Sequence, residues 1–238
     1  MSYQAILFDM DGVIIDTHQA VTAFWQKWSR IHRIQLSPTD YQHNIYGCPA
    51  THTLDLFFTT LDADQRDEIT ADLTAYEINQ RYTAVTGVIP FLDELKQCDI
   101  PRALVTSGEQ WKVKAVLTQL GLDDIFNAIV TVADIKQGKP NPDCYLLGAA
   151  RLQVVPEKCI VFEDALSGVK AAVTAGAFCI GVQPKHPTPL LQAGARYVVP
   201  DFSAVSLQVN GGAETGPHPY LQLAPDFGLP LQPKTIVA

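Results

Sequence analysis

Residues 6–16 read ILFDMDGVIID, and this stretch places closely spaced carboxylates at the end of an apolar run. The segment Ala5–Phe8 has the continuous apolar character of a buried strand. Asp9 and Asp11 follow it directly, although an unpaired buried carboxylate is costly and normally acquires a partner or a shifted pKa. Gly12 can adopt the positive φ of a sharp turn. The stretch therefore predicts a core strand whose tip carries two carboxylates to a common ligand.

Five further apolar runs follow Gly87, and each is short and rich in valine or isoleucine. They are ALVTS at 103–107, AIVTV at 128–132, CIVFED at 159–164, FCIGV at 178–182 and RYVVP at 196–200. Stretches of helical character lie between most of them. This alternation predicts a parallel sheet with helices on both faces. The right-handed crossover rule then favours a doubly wound, Rossmann-like α/β fold.

Residues 17–86 differ from the rest, because their apolar side chains recur at helical spacing and no convincing strand appears. The recurring residues are Phe24, Trp25, Trp28, Ile31, Leu54, Phe57, Phe58 and Leu61. The first strand precedes this segment and the other strands follow it. We therefore expect an α/β core of residues 1–16 and 87–207, with residues 17–86 inserted as a small helical cap domain.

Residues 208–238 form a proline-rich C-terminal extension. It has prolines at positions 217, 219, 225, 230 and 233. Because of them, we expect that this segment can form neither a helix nor a central strand. Apolar residues such as Leu221 and Phe227 suggest that the extension packs on the core, and a loose extension is the alternative.

Composition narrows the partners and the compartment. The formal charge is −8, with no cluster of Lys and Arg, which argues against a nucleic-acid or anionic-membrane partner. Neither a signal-peptide pattern nor an apolar run of about 18 residues is found, so we expect a cytoplasmic protein. The five scattered cysteines lack a CxxC pair and are interpreted as buried, reduced thiols. We expect a monomer or weak dimer that acts on a small metabolite.

Polar residues follow several of the predicted strands. In an open α/β sheet these carboxyl ends form the ligand site. The residues are Asp9, Asp11, Thr106, Ser107, Lys139 in the loop QGKPNPD, Glu163 and Asp164. Each has a structural interpretation alone, such as a helix N-cap, but the set predicts a magnesium site for phosphoryl transfer. A carboxylate can attack phosphorus, while a lysine, hydroxyls and a metal neutralise the transferred group.

The motifs FDMDGV, VTSG, GKPNPD and FEDALSG resemble, in order and spacing, those of the haloacid dehalogenase superfamily. The inserted segment resembles the helical cap of the subgroup that contains β-phosphoglucomutase and phosphoglycolate phosphatase. The resemblance implies that Asp9 is the nucleophile and a Mg²⁺ ligand. It implies that Asp11 gives its backbone carbonyl to the metal, while its side chain protonates the leaving group and later activates water.

The same resemblance implies that Thr106 and Lys139 hold the phosphate. Asp164 would ligate Mg²⁺, and Glu163 would be either a second ligand or an outer-shell partner. Ser107, Gly108 and Asn141 are further candidates for phosphate binding, from the same motifs.

The resemblance also narrows the reaction. Dehalogenases of the superfamily lack the second aspartate, so Asp11 favours phosphate esters. Phosphonatases of the superfamily use a cap lysine, and the cap loop QHNIYGCPATHT has none.

Phosphatase and mutase are the two alternatives within phosphoryl transfer. The histidine of β-phosphoglucomutase corresponds to Val21 and its arginine to a position near Ala50. Its later cap lysine has no equivalent, and Arg81 is the nearest cation. Without those cations a second phosphate would be poorly neutralised, which favours hydrolysis of a small phosphomonoester. His43 or His52 would have to compensate in a mutase.

Several cap residues are candidates for contact with the leaving group. They are Trp25, Tyr46 and Gly47, although Trp25 could equally belong to the cap core. Thr17 and Gly87 lie where the chain crosses between the domains and are candidate hinge neighbours for cap closure.

Overall fold

The protein contains a six-stranded parallel sheet in the order β3–β2–β1–β4–β5–β6. The structure, a computed structural model, describes residues 2–183, 185–212 and 216–232. The strands are β1 (Ala5–Phe8), β2 (Arg102–Val105), β3 (Ala128–Val130), β4 (Cys159–Glu163), β5 (Phe178–Val182) and β6 (Tyr197–Val199). β1 and β4 are buried along their whole length, as expected for strands covered on both faces. The predicted doubly wound parallel sheet is confirmed.

Helices cover both faces of this sheet. They are α5 (Val88–Gln97), α6 (Gln110–Leu120), α7 (Asp143–Arg151), α8 (Leu166–Thr174) and α9 (Thr188–Gln192). Successive residues of β1 alternate between the two faces, so Ile6 and Phe8 join one hydrophobic cluster while Ala5 and Leu7 join the other. The sheet is therefore held between two apolar layers.

The strand order determines where a ligand can bind. From β1 the chain continues to β2 and β3 on one side, whereas β4, β5 and β6 lie on the other. Phe8 pairs with Leu104 of β2 and with Phe162 of β4. The order thus reverses between β1 and β4, and the crevice at a doubly wound sheet's switch point is the expected binding site.

The inserted segment between β1 and α5 is helical. Its helices are α1 (His18–Ile31), α2 (Pro38–Asp40), α3 (Ala50–Phe57) and α4 (Ala63–Asn79), with a π-helical turn at Tyr41–Ile45. Phe24, Trp25, Trp28 and Phe58 belong to a hydrophobic cluster of the cap's own, whereas Ile31 at the end of α1 is 56% exposed. The two connecting segments are hydrogen-bonded to each other, because the Val85 N–H donates to the Ile14 carbonyl (3.0 Å).

The extension forms a three-stranded antiparallel sheet from β7 (Ser206–Gly212), β8 (Gly216–Ala224) and β9 (Phe227–Pro230), in the order β7–β8–β9. The prediction that this segment could not form a central strand is wrong, since β8 is central. The Pro219 carbonyl accepts from Leu231 N–H (2.8 Å), so the Pro219 nitrogen also faces away from β7. No hydrogen bond of the β7–β8 ladder is lost at that proline.

The small sheet packs on the core. Leu221, Leu223, Leu229 and Leu231 are buried in the same hydrophobic cluster as Phe8. The Leu207 N–H donates to Glu94 Oε2 of α5 (2.9 Å). The described strands are therefore not a loose extension, while Pro233 and the residues after it lie outside the described part of the chain.

Two smaller findings concern the cysteines and the membrane. All five cysteines are free thiols. Cys144, Cys159 and Cys179 are buried as expected, whereas Cys48 and Cys98 are half-buried. Among the described residues, no helix has both the length and the apolar character needed to cross a membrane.

Candidate active site

Asp9 lies at the switch point and is buried, with 3% of its surface exposed. Its N–H donates to the Phe162 carbonyl (3.0 Å), which continues the pairing of β1 with β4. The chain then turns, because the Met10 carbonyl accepts from the N–H groups of Ile14 and Ile15 at 2.9 and 3.0 Å. Burial away from water raises the pKa of Asp9 well above its usual range, and the Lys139 ammonium only partly offsets this effect.

Gly12 makes the close approach of this turn to β4 possible. Its φ is +79°, in the left-handed region. A Cβ at this position would lie 2.1 Å from Asp164 Oδ2. Glycine at position 12 therefore keeps space free beside the carboxylate of Asp164.

Lys139 joins two of the strand-end carboxylates. Its Nζ lies 2.5 Å from Asp9 Oδ1 and 2.6 Å from Glu163 Oε1, and its side chain is 1% exposed. Burial acts to lower the pKa of Lys139, but the two carboxylates outweigh it and the pKa is raised. The lysine is therefore a charged group beneath Asp9.

Glu163 is fully buried and has protein partners on both oxygens. Oε1 accepts from Lys139 and from the Tyr145 hydroxyl (2.9 Å), and Oε2 accepts from the Ala165 N–H (2.9 Å). A Cβ on Gly168 would lie 1.6 Å from Oε1, so the helix after β4 must carry glycine there. The carboxylate thus fixes Lys139 against the start of α8.

Carboxylate oxygens of Asp9, Glu163 and Asp164 all lie within 4.8 Å of one another. Asp164 Oδ2 is 2.6 Å from His18 Nε2, whereas its buried Oδ1 has no hydrogen-bond partner among the described residues. A buried carboxylate oxygen without a partner is costly. The set of hard oxygen donors and this orphaned oxygen fit a small divalent cation such as Mg²⁺.

The predicted phosphate-binding residues lie beside Asp9, with one exception. Thr106 is buried, and its Oγ1 accepts from the Gly108 N–H (2.9 Å). Ser107 donates to the Gly47 carbonyl of the cap (3.4 Å). Thr106, Ser107 and Gly108 line the same cavity as Asp9, Asp11 and Asp164. This cavity of about 370 Å³ lies between the core and the cap.

Asn141 is the exception. Its Nδ2 donates to Gln137 Oε1 (2.7 Å), and its Oδ1 accepts from the Asp143 N–H (3.0 Å) at the beginning of α7. Asn141 is not among the described residues that line the cavity. The structure therefore gives Asn141 a local partner set in the loop, apart from the other candidates.

The predicted cap residues reach the cavity in different ways. Trp25 lines it and also packs in the cap cluster at 4% exposure, so both interpretations of this residue apply. Tyr46 stacks on His18 with ring centroids 4.6 Å apart. Gly47 has φ +70°, and a Cβ there would lie 2.5 Å from Ala165 Cβ. The cap loop thus touches the loop after β4 through its backbone.

The cations considered for a second phosphate lie elsewhere. His43, His52 and Arg81 are exposed, and none of the three lines the cavity.

Several residues of the cavity were not singled out in the sequence, among them His18, Glu77 and Lys112. His18 follows Thr17 at the cap junction, and this position could have suggested it. Lys112 Nζ lies 3.0 Å from Asp11 Oδ1 and 2.7 Å from Glu77 Oε1. Lys112 directly precedes the apolar Val113 in the first turn of α6, and both are buried. In the sequence this position only weakly indicates that Lys112 is buried. No local pattern marks Glu77.

Comparison with known proteins agrees with this geometry. Residues 6–182 match the family model described as haloacid dehalogenase-like hydrolase. Hexitol phosphatase A of Escherichia coli (strain K12) is 35% identical over 198 residues, covering 80% of this chain and 88% of that protein. Validoxylamine A 7'-phosphate phosphatase of Streptomyces hygroscopicus subsp. limoneus is 31% identical over 206 residues, covering 85% and 96% respectively.

A solved structure supports the same assignment. That of β-phosphoglucomutase from Clostridium difficile matches with a TM-score of 0.69 and 25% sequence identity, covering 83% of this chain and 90% of that chain. The resemblance seen in the four motifs is thereby confirmed, and the chain belongs to the family of haloacid dehalogenase-like hydrolases.

Proposed function

We propose that this protein is a Mg²⁺-dependent phosphatase that hydrolyses a small sugar or polyol phosphomonoester through an aspartyl-phosphate on Asp9. The observation that carries the proposal is the buried group of Asp9, Lys139, Glu163 and Asp164 at the switch point, which opens into a cavity under the cap. Two of the relatives are named as phosphatases, which supports hydrolysis.

Asp9, Asp164 and the backbone carbonyl of Asp11 would hold the Mg²⁺ ion. Glu163 would act from the outer shell, since each of its oxygens already accepts a hydrogen bond. When bound, the ion would neutralise negative charge on the phosphoryl oxygens and on Asp9.

The side chains of the chain itself account for the two half-reactions. A carboxylate oxygen of Asp9 attacks phosphorus, and the bond from phosphorus to the ester oxygen breaks. Asp11 gives a proton to that leaving oxygen. Asp11 then takes a proton from water, which attacks phosphorus and releases phosphate from Asp9. Lys139 and the Thr106 hydroxyl neutralise and position the phosphoryl oxygens.

The cavity beneath the cap favours an uncharged leaving group. Its cap-side lining includes Val21, Leu73 and Thr74, and Glu77 and Glu109 also face it. Two basic residues of the described lining are already paired, Lys112 with Asp11 and Glu77 and His18 with Asp164. A second phosphate or a carboxylate would thus meet acids, whereas the hydroxyls of a sugar or polyol can hydrogen-bond to them.

A mutase is the second candidate. The likeness to the solved β-phosphoglucomutase and the presence of His18 in the cavity favour it. It would produce glucose 6-phosphate from β-glucose 1-phosphate and would be stimulated by glucose 1,6-bisphosphate.

A panel assay tests the proposal. Phosphate release is measured with Mg²⁺ from sorbitol 6-phosphate, glucose 6-phosphate, phosphoglycolate and para-nitrophenyl phosphate. We expect release from the neutral sugar or polyol esters, and a loss of kcat of about 10³-fold or more in Asp9→Asn. Asp67→Asn on the exposed face of α4 is the matched control. Normal turnover by Asp9→Asn, or isomerisation without net phosphate release, would refute the proposal.

A further inference from the structure

A buried lysine connects the acid/base candidate to the cap. Lys112 lies in the first turn of α6, and its side chain is 9% exposed. Its Nζ contacts both carboxylate oxygens of Asp11, at 3.0 and 3.2 Å. The same Nζ donates to Glu77 Oε1 at 2.7 Å. Glu77 belongs to the last turn of α4, so one ammonium group joins the core, the cap and Asp11.

Neighbouring contacts fix the cap side of this arrangement. The Tyr82 hydroxyl donates to the Glu77 carbonyl (2.9 Å), and the Tyr82 N–H donates to Gln119 Oε1 of α6 (3.2 Å). Gln119 Nε2 donates to the Gln80 carbonyl (3.4 Å). The end of α4 is therefore held beside α6, in the position that lets Glu77 reach Lys112.

The two contacts of Lys112 restrict a side chain that is otherwise flexible. A lysine stem loses substantial rotamer freedom when it is held in one geometry, and a single partner fixes it less well than two. Contact with both oxygens also fixes the plane of the Asp11 carboxylate. Removing Glu77 would release one of the two restraints on the lysine and, through it, on Asp11.

We propose that Lys112 and Glu77 are positioning residues for Asp11. When Asp11 carries its proton, one of its oxygens accepts from Lys112 while the O–H of the other donates to the leaving oxygen. Lys112 thus holds Asp11 in the orientation for proton transfer, and Glu77 ties Lys112 to the cap when the cap covers the cavity. The inference rests on the proposed function, because it assigns the acid/base role to Asp11. It differs from a simple bridge between domains, since it predicts an effect on protonation of the leaving group.

Leaving-group dependence separates these two roles. An alkyl leaving group such as that of sorbitol 6-phosphate needs a proton as the ester bond breaks, whereas para-nitrophenolate is stable without one. The value of kcat/KM reports the steps up to the first irreversible one, which is loss of the leaving group. A misplaced Asp11 should therefore lower kcat/KM for the alkyl ester much more than for the aryl ester.

The test compares Glu77→Gln, Lys112→Met and Lys112→Arg with both esters. We expect kcat/KM for sorbitol 6-phosphate to fall about 10-fold in Glu77→Gln and about 30-fold in Lys112→Met, with falls below about 3-fold for the aryl ester. Lys112→Arg should recover most of the loss, because it keeps the charge. The double variant Glu77→Gln/Lys112→Met should be no worse than Lys112→Met, since Glu77 acts through Lys112.

Matched controls are exposed residues on the same helices: Glu68→Gln on α4 and Lys114→Met on α6. Thermal unfolding of each variant identifies folding defects, and Glu77→Gln keeps the test usable if Lys112→Met does not fold. Equal falls with both esters, or a Glu77→Gln variant that matches Glu68→Gln, would overturn the inference. Failure of the proposed function is a separate outcome, in which the wild-type protein hydrolyses neither ester.

Discussion

The strand-end site and the cap lining face each other across one cavity, but they are built differently. At the strand ends, Lys139 and Glu163 are almost completely buried and are joined by a 2.6 Å contact. On the cap side, Val21, Leu73 and Thr74 are half-buried and offer mostly neutral surface. A charged and rigid edge suits one repeated chemical step, whereas a neutral lining suits selection among leaving groups. We therefore expect substitutions in the strand-end site to abolish kcat and substitutions in the cap lining to alter mainly KM.

The largest effect should come from Lys139→Met. This change leaves Asp9 and Glu163 without their shared cation, and loss of one partner from a buried ion pair costs about 3–5 kcal/mol. We expect kcat to fall about 10³-fold and the free energy of unfolding to decrease, as measured by steady-state kinetics and urea denaturation. Lys170→Met, at an exposed position on α8, is the control. A Lys139→Met variant with wild-type kcat would show that the reaction does not take place at the strand-end site.

Gly12→Ala should have a smaller but still large effect, directed at the cation. The added Cβ would meet Asp164 Oδ2. We expect Mg²⁺ to raise the melting temperature of the wild-type protein, and we expect the variant to lose that increase. We expect kcat at fixed Mg²⁺ to fall by about 10- to 100-fold.

Gly121→Ala is the control that separates the effect of backbone strain from the effect of a steric clash with Asp164. Gly121 also has positive φ (+69°), but a Cβ there meets nothing within 4 Å among the described residues. The free energy of unfolding of the Gly121→Ala variant should decrease by about 1 kcal/mol, and the variant should keep its response to Mg²⁺. A Gly12→Ala variant with the same Mg²⁺ response as Gly121→Ala would contradict the placement of the ion beside Asp164.

The smallest effect should come from the cap. Thr74→Val removes one hydroxyl from the lining at nearly constant volume. We expect KM for a polyol phosphate to rise about 3- to 10-fold with kcat nearly unchanged, because the contact is made equally in the ground and transition states. Thr118→Val on α6, away from the cavity, should leave KM unchanged. A fall in kcat without a change in KM would place Thr74 with the chemistry instead.

The difference between the two regions also explains what the sequence could predict. Asp9, Thr106 and Asp164 directly follow apolar runs or strands, and Lys139 lies in the loop between β3 and α7, so local patterns and the strand order suffice to bring them together. Asn141 was selected with its motif, but its side chain turns back into its own loop.

Contacts across the cavity were not predictable in this way. The Lys112–Glu77 pair joins residues 35 positions apart on separate helices, and its existence depends on how the cap sits on the core. The small C-terminal sheet was missed for a different reason. Proline weakens a strand only where its nitrogen would have to donate, and the direction of the Pro219 nitrogen follows from strand register.

Chemical trapping would show directly whether the phosphoryl group is transferred to Asp9. Wild-type protein is mixed with Mg²⁺ and para-nitrophenyl phosphate, quenched within the first turnover, reduced with borohydride and analysed by peptide mass spectrometry. Reduction converts an aspartyl-phosphate to homoserine, so we predict homoserine at position 9 and an unmodified Asp11. Homoserine at another position, or none in protein that is releasing para-nitrophenol, would show that Asp9 is not the nucleophile.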